Sequence, residues 1–327
     1  MKVCVLAEVA HHRIQPVTYE LLTRALALAP AGDIGALVVS GGVPESEYEK
    51  LGAAGVDQVV AYEAPWLERF RPEPYAAALR EMVAEFKPEI VLGGATSTGR
   101  TWLPYAAMKM HTGLTADCTE LAIEDGSGLL LQTRPAIGGN IMATIKTPHH
   151  RPQMATIRPR STRPAAAQSG RRGRLCRRPA SPAWQASGLT ELSFTPIDEA
   201  QELSSAERVV VVGRGIKKPE NLGLVRELAR LLGAALGATR EVVDRGWLPY
   251  SCQVGLSGRT ITPELYVGVG VSGAIQHLAG MQTSKRIVAI NTDGDAQIFS
   301  LADVGIVGNL LEVVPALNER LRAGGAL

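Results

Sequence analysis

The chain has 327 residues, of which 46% are hydrophobic and 20% charged, and its formal net charge is +2. This length suits two globular domains, and so small a net charge does not predict a nucleic-acid partner. No apolar run approaches the roughly 20 residues that cross a bilayer, so we expect no membrane insertion. The four cysteines are scattered without a CxxC pair, which argues against a metal site and favours a reducing, cytoplasmic setting.

The first half of the chain alternates strand-like and helix-like segments. The patterns predict strands at residues 3–8, 34–40, 58–61, 90–94, 129–134 and 141–147, and helices at 18–28, 45–54 and 74–86. Alternation of this kind requires crossovers between parallel strands and places helices on both faces of the sheet. We therefore predict a doubly wound α/β domain over residues 1–157.

The next segment, residues 158–206, differs in composition. Its first part, 158–184, has many arginines, no acidic residue and no apolar periodicity. Such a run indicates either a nucleic-acid or membrane-surface patch or a disordered connector. Because aromatic residues are not interleaved with the arginines, we interpret 158–206 as a connector. A shifted reading frame in the gene is a further explanation for this Arg/Ala/Pro run.

The remaining residues again alternate strand and helix patterns. Their central stretch opens with an apolar run at 265–271, continues through Ser272 and Gly273 into a helical pattern at 274–281, and ends in a second strand at 286–290. Ser272 stands where a helix N-cap would stand. In such a βαβ unit, the free N–H groups and the dipole at the helix N-terminus can hold a phosphate.

Five loops within residues 207–327 are candidates for binding one ligand, and most of them follow strand ends. Ligands collect at the carboxyl ends of the strands in open α/β sheets. Taken singly, each loop is a common turn, but as an ordered set the loops predict a binding site. The candidate residues are Arg214, Thr239, Arg240, Val254, Gly255, Leu256, Ser257, Ser272, Gly273, Ala274, Ile275, Gln276, His277, Asn291, Asn309 and Leu310.

The heptapeptide at 272–278, Ser-Gly-Ala-Ile-Gln-His-Leu, closely resembles the FAD-binding signature of the electron-transfer flavoprotein α subunit. The likeness extends over 208–315, and residues 14–17, 94–100 and 112–120 resemble the first domain of the same subunits. The resemblance implies two doubly wound α/β domains with mainly parallel sheets, the C-terminal one a Rossmann-like domain that binds one FAD. It also implies that the N-terminal domain is a scaffold that packs on a β subunit.

By the same resemblance, the protein is an electron carrier subunit and not a stand-alone enzyme, with no catalytic residue of its own. It would shuttle electrons between dehydrogenases, such as acyl-CoA dehydrogenases, and a quinone reductase or another acceptor. The sequence of residues 133–144 is more similar to the electron-bifurcating branch of the family than to the mitochondrial branch. In the bifurcating branch the β subunit carries a second FAD. Residues 158–184 depart from the family, which normally has strand-like and acidic residues there.

The resemblance also assigns roles to single residues of the site. Arg214 and the helix start at Ser272 would offset the charge of the diphosphate. Arg240 would lie close to the isoalloxazine ring and favour its anionic forms. Ser257 would offer its hydroxyl to the flavin N5 at a position where the family commonly has Thr, and Leu256 replaces a common Gln.

Three further residues carry roles at the two ends of the cofactor. His277 would lie near the pyrimidine end of the flavin ring. Asn291 and Asn309 would face the adenosine end, where the family commonly has Asp in place of Asn309. The residue types alone leave other interpretations open: a single histidine in an apolar helix is more often a core residue, and Arg240 could pair with an acidic residue of its own helix.

The alternative function is a nicotinamide-dependent oxidoreductase built on the same doubly wound domain. Residues 268–273 match G-x-G-x-x-G by spacing, and a complete fingerprint would favour this class. The acidic residue that such proteins carry about 20 positions further on is missing, unless Asp293 serves.

Overall fold

The computed structural model describes residues 1–136, 141–186, 188–189, 191–194, 203 and 206–324. The chain divides into two compact units, Met1–Leu192 and Ser193–Leu327. Each unit is built around a parallel sheet with helices, which confirms the predicted α/β class.

Among its described residues, the first unit contains a large parallel sheet and two small antiparallel ones. Its strands are β1 (Val3–Ala7), β2 (Val9–Ala10), β3 (Arg13–Ile14), β4 (Ile34–Ser40), β5 (Gln58–Glu63), β6 (Ile90–Gly94), β7 (Leu114–Cys118), β8 (Glu120–Ile123), β9 (Leu130–Pro135), β10 (Met142–Ile145), β11 (Gln153–Ile157) and β12 (Arg174–Pro179). Its α-helices are α1 (Pro16–Leu28), α2 (Glu45–Ala53), α3 (Pro72–Phe86) and α4 (Ser97–Met110).

Within the described residues, the large sheet has the order β12-β5-β4-β1-β6-β11-β7, and each neighbouring pair is parallel. Strands β8, β9 and β10 form an antiparallel sheet, and β2 pairs with β3. The central strands are apolar runs because both faces of the sheet are covered. Val5 of β1 packs in the cluster that contains Leu21 of α1, whereas the next residue, Leu6, packs with Leu79 of α3 and Trp102 of α4.

The segment predicted as a connector is partly a strand of this sheet. Residues 174–179 form β12, which pairs with β5 along its whole length. The first compact unit accordingly ends at Leu192, and the interpretation of 158–206 as a disordered connector is wrong for β12. Residues 187, 190, 195–202 and 204–205 of that segment lie outside the described residues.

Two of the arginines of β12, Arg177 and Arg178, meet acids that other elements supply. Arg177 lies beside Glu45 of α2 and Glu63 of β5, at 2.5 Å and 3.4 Å. Arg178 forms an ion pair with Glu85 of α3. Because the compensating carboxylates are distant in the sequence, composition within the segment does not reveal them. Charge complementarity of this kind lets an Arg-rich run form an ordered edge strand.

The described part of the second unit has one parallel sheet. Its strands are β13 (Arg208–Val212), β14 (Ala235–Ala238), β15 (Leu265–Val269), β16 (Ile287–Asn291) and β17 (Val304–Val307), and its α-helices are α5 (Leu222–Leu232), α6 (Arg240–Asp244), α7 (Ile275–Leu278) and α8 (Leu310–Arg322). The order is β14-β13-β15-β16-β17. The chain leaves β13 for one side of the sheet and then returns to the other side at β15. The edge between β13 and β15 is therefore the topological switch point, where such sheets bind ligands.

The helix that follows β15 is shorter than predicted. A helix over 274–281 is expected from the sequence, but α7 spans only Ile275–Leu278. Gly280 lies just beyond its end, and only glycine fits there because a Cβ at this position would lie 2.5 Å from the Cα of Gly255. The chain turns there so that the loop containing Gly255 can pack against it.

Candidate functional site

The loops after β13 and β15 meet at the switch point. The N–H of Gly213 donates to the carbonyl of Val269 at 2.9 Å, and the N–H of Gly215 donates to the carbonyl of Gly270 at 3.0 Å. A Cβ on Gly215 would lie 2.7 Å from the Cα of Gly270, and Gly270 itself has a φ of +65°. Glycine is therefore required on both sides of this contact. Leu310, at the start of α8, is buried against the same point.

Two arginines lie exposed at the carboxyl edge of the sheet. Arg214 follows β13, is 70% exposed and lies 3.4 Å from Glu241. Arg240 begins α6 just beyond β14, is 72% exposed and pairs with Asp244 at 3.2 Å. The pairing of Arg240 within its own helix was one of the alternatives left open by the sequence. Exposed ion pairs of this kind contribute only about 0–1 kcal/mol, so both guanidinium groups can exchange partners at little cost.

The loop at 254–258 is held by backbone hydrogen bonds on both sides. The N–H of Val254 donates to the carbonyl of Ala238 at the end of β14, and the N–H of Leu256 donates to the carbonyl of Gln276, each at 2.9 Å. Leu256 is 68% exposed and Ile275, beside Gln276, is 66% exposed. The site thus presents two apolar side chains to solvent near the carboxyl edge of the sheet, where the two exposed arginines also lie.

Ser257 lies exposed at the tip of this loop. Its Oγ accepts a hydrogen bond from Nε2 of the buried Gln253 at 3.0 Å. Its carbonyl accepts a hydrogen bond from the hydroxyl of Tyr250. Gln253 is not among the residues that sequence reasoning selected. Its position directly before a glycine-rich loop is the signal that could have found it.

His277 is in the core of the second unit. Its Nδ1 donates to the carbonyl of Val254 at 3.0 Å, and its Nε2 lies 2.8 Å from the hydroxyl of Tyr266. Burial lowers the pKa of His277, although the hydrogen bond to Val254 partly opposes this effect. Both ring nitrogens form hydrogen bonds within the protein, as expected if His277 is a core residue and not a ligand-binding one. Tyr266 was also missed, although a tyrosine in a strand buried on both faces needs a partner for its hydroxyl.

The turn between β15 and α7 differs from the prediction in one respect. Ser272 is not a helix N-cap, because α7 begins at Ile275 and no side chain caps it. Ser272 is exposed, and its carbonyl accepts a hydrogen bond from the N–H of Ile298 at 3.1 Å. Gly273 has a φ of +85°, and a Cβ on it would lie 2.3 Å from the nitrogen of Ile298. Packing against residues 297–298 therefore decides the path of this turn, and Ala274 and Gln276 remain exposed.

The remaining predicted residues have local structural roles at the same edge. Asn291 donates from Nδ2 to the carbonyl of Val271 at 2.8 Å. Asn309 caps α8, since its Oδ1 accepts the N–H of Leu311 at 3.1 Å. Thr239 precedes α6, and its N–H donates to the carbonyl of Val212 at 3.0 Å. All three therefore shape strand-to-helix turns that face the carboxyl edge.

Two kinds of feature are absent from the residues that the structure describes. No helix in this part of the chain is long and apolar enough to span a bilayer. Nor do three or more His, Cys, Asp or Glu side chains come together there in a way that could hold a metal ion.

The second unit is thus a doubly wound domain of the class that binds a dinucleotide cofactor at its switch point. Comparison with known proteins specifies the class further. The sequence model described as "Electron transfer flavoprotein domain" matches residues 3–183, and that described as "Electron transfer flavoprotein FAD-binding domain" matches residues 202–282. The chain belongs to the electron transfer flavoprotein α-subunit family, and its cofactor is FAD.

Similar proteins cover nearly the whole chain. The electron transfer flavoprotein subunit alpha of Thermoanaerobacterium thermosaccharolyticum is 42% identical over 323 residues, which is 97% of each chain. That of Megasphaera elsdenii is 39% identical over 97% of this chain and 95% of its own. The lactate dehydrogenase (NAD(+),ferredoxin) subunit LctC of Acetobacterium woodii is 39% identical over 93% of this chain and 73% of its own.

The residues at the carboxyl edge fit FAD. Arg214 and Arg240 are exposed cations, and cations of this kind can stabilise a diphosphate or an anionic, reduced flavin ring. Leu256 and Ile275 supply exposed apolar surface, and Ser257 supplies a hydroxyl. When bound, FAD supplies the redox chemistry, while the protein binds it and sets its electrostatic surroundings.

Proposed function

We propose that the chain is the FAD-carrying subunit of a heterodimer with an electron-transfer flavoprotein β subunit. The observation that carries the proposal is the match of the FAD-binding domain to residues 202–282, which include the glycine contact at the switch point. The relatives named as α subunits support the heterodimer, because α subunits of this family pair with a β subunit. In this proposal the first unit is the scaffold that packs on the β subunit.

Three residues would contact the cofactor through charge or a hydroxyl. Arg214 would pair with the diphosphate and Arg240 with the isoalloxazine ring, each giving up an exposed carboxylate partner. A charge-assisted hydrogen bond from either arginine is about twice as strong as a neutral one. Ser257 would donate its hydroxyl to N5 of the ring.

His277 would act through the loop that it holds. The ring of His277 uses both nitrogens inside the protein, and one of them binds the carbonyl of Val254 at the start of the loop 254–258. We therefore assign to its side chain the support of this loop at the pyrimidine end of the flavin. Asn291 and Asn309 would face the adenosine end and at the same time hold the turns after β16 and β17.

The donors and acceptors would be dehydrogenases, such as acyl-CoA dehydrogenases, and a quinone reductase or another acceptor. A role in electron bifurcation finds support in the name of the Acetobacterium woodii relative, which pairs NAD(+) with ferredoxin. The stretch 133–144 is similar in sequence to the bifurcating branch, but its residues 137–140 lie outside the described residues. The four cysteines form no disulfide, and we place the complex in the reducing cytoplasm.

Co-production with the cognate β subunit tests the proposal. A yellow heterodimer that releases FAD on denaturation is expected. Two FAD per heterodimer would assign the chain to a bifurcating complex, whereas one FAD and one AMP would assign it to a simple carrier. A colourless complex that binds NAD and no flavin would contradict the proposal and favour the nicotinamide-dependent alternative.

A further inference from the structure

Gln253 is a buried polar residue whose side chain reaches the exposed end of the loop 254–258. The residue is 3% exposed, and its Nε2 donates to Oγ of Ser257 at 3.0 Å. Its backbone is engaged separately. The N–H of Gln253 donates to the carbonyl of Tyr250 at 2.9 Å, and its carbonyl accepts the N–H of Arg259 at 2.7 Å.

The direction of this hydrogen bond limits what the Ser257 hydroxyl can do. A hydroxyl has one proton to donate and two lone pairs that accept. Since Oγ accepts from Nε2 of Gln253, the hydroxyl proton points to another acceptor. The carbonyl of Ser257 is held by the hydroxyl of Tyr250, so the loop tip is fixed on the other side as well. Ser257 is exposed, and its O–H is therefore a donor toward the open side of the site.

The amide of Gln253 is not needed to close the loop. The backbone closes it, through the Arg259–Gln253 hydrogen bond and a second one from the N–H of Gly255 to the carbonyl of Arg259 at 3.1 Å. Gly258 permits the close turn, because a Cβ there would lie 2.4 Å from the carbonyl oxygen of Gln253. A residue needed only for loop shape could therefore be apolar. Burying an amide instead carries a desolvation cost unless it is hydrogen-bonded.

We propose that Gln253 is a positioning residue that sets the Ser257 hydroxyl as a hydrogen-bond donor to the flavin. The inference rests on the proposed placement of Ser257 beside the ring. In this arrangement Gln253 does not touch the cofactor. It fixes which way the serine proton points, so that an acceptor atom of the flavin meets a donor and not a lone pair.

A variant series in the heterodimer separates this role from a structural one. Gln253→Met keeps the length of the side chain and removes the amide. Gln253→Glu keeps the shape but presents an acceptor, so the Ser257 proton turns inward and leaves a lone pair facing the flavin. Ser257→Ala removes the hydroxyl. Ser284→Ala is the control, because its hydroxyl donates to the carbonyl of Met281 at 2.6 Å, away from the loop.

The readouts are the midpoint potential of the bound flavin, the FAD dissociation constant and the melting temperature of the apoprotein. We expect Gln253→Met to shift the potential in the same direction as Ser257→Ala, and Gln253→Glu to shift it at least as far. In these three variants the dissociation constant of FAD should rise about fivefold, which is the effect of one lost hydrogen bond. When Ser257 is already Ala, Gln253→Met should change the potential no further.

Several results would overturn the proposal. Additive shifts of the potential in the double variant would show that Gln253 acts independently of the hydroxyl. A normal potential in Gln253→Glu would show that the amide does not set the direction of the proton. Loss of FAD from both Gln253 variants, with retention in Ser257→Ala, would assign Gln253 a structural role. An unchanged potential in Ser257→Ala would show that Ser257 does not lie beside the ring, and this would overturn the positioning role of Gln253. A wild-type heterodimer without FAD would instead refute the proposed function.

Discussion

The hydroxyl of Tyr266 lies 2.8 Å from Nε2 of His277 in the core of the second unit. The opposite ring nitrogen, Nδ1, faces the carbonyl of Val254 at 3.0 Å and must donate, because a carbonyl only accepts. Because burial also lowers the pKa of His277, the ring is neutral with its proton on Nδ1, and Nε2 accepts a hydrogen bond from the Tyr266 hydroxyl. Burial raises the pKa of Tyr266 and lowers that of His277, so both groups keep these protonation states.

This pair predicts a loss of stability of the second unit in acid. The pKa of His277 is lower in the folded chain than in the unfolded chain, so the unfolded chain binds the proton first as the pH falls. Below about pH 6.5, hydrogen-exchange protection of the β15 amides should fall by about 1.4 kcal/mol per pH unit until the folded pKa is reached. His277→Asn should flatten this dependence. His111→Asn, at an exposed position, should leave it unchanged.

Glu8 predicts the opposite pH dependence in the first unit. Burial raises the pKa of its carboxyl to about 7, although a hydrogen bond from the hydroxyl of Thr96 at 2.6 Å partly offsets this effect. The folded unit thus holds a proton that the unfolded chain releases near pH 4.5. Stability is fully present below that pH and is lost as the pH rises to about 7, by about 2–3 kcal/mol.

Urea unfolding of Glu8→Gln measures this effect. The variant replaces the ionisable carboxyl with a carboxamide that stays neutral, so it should be more stable than the natural chain above pH 7, with little difference near pH 4.5. Tryptophan fluorescence reports mainly on the first unit, which contains Trp66, Trp102 and Trp184. Glu49→Gln, at an exposed position of α2, is the matched control. An equal pH dependence in all three proteins would contradict the assignment.

The contact between Gly215 and Gly270 predicts a steric effect on the cofactor site. Gly215→Ala would place a Cβ 2.7 Å from backbone at Gly270, so the two loops must move apart. We expect a loss of about 1–3 kcal/mol in stability together with weaker FAD binding, measured by thermal unfolding and by flavin titration. Gly223→Ala is the control, since a Cβ at this position in α5 meets nothing within 4 Å. It should leave FAD binding unchanged.

Arg240 predicts the sign of an electrostatic effect on the flavin. A positive charge near the ring favours its anionic, reduced forms. Arg240→Ala should therefore make the free energy of reduction less favourable by roughly 1–3 kcal/mol per electron, which lowers the midpoint potential. Arg245→Ala removes an arginine that pairs with Glu241 at 3.0 Å one turn along and serves as the control. Potentiometric titration of both heterodimers gives the comparison. Equal potentials for the two variants would place Arg240 away from the ring.

Sequence patterns predicted the strands that are buried as unbroken apolar runs, such as β1 and β15. They missed β11, which lies between β6 and β7. This strand is fully buried but contains polar residues that serve distant backbone groups. Oε1 of Gln153 accepts the N–H of Leu130 at 2.8 Å, and Oγ1 of Thr156 accepts the N–H of Asp117 at 2.9 Å. The continuous apolar run, which is the usual signal of a strand buried on both faces, is interrupted when polar side chains are needed inside.

By itself, the sequence determined the α/β class, the family and the order of the loops that form the cofactor edge, because these depend on patterns within short stretches of chain. Only the tertiary structure decided that Arg174–Pro179 is a strand and that His277 is a core residue. The reason is the distance between partners along the chain. Arg177 finds Glu63 across 114 residues and His277 finds Val254 across 23. The charge balance of β12 and the proton position on His277 therefore depend on groups that no local pattern contains.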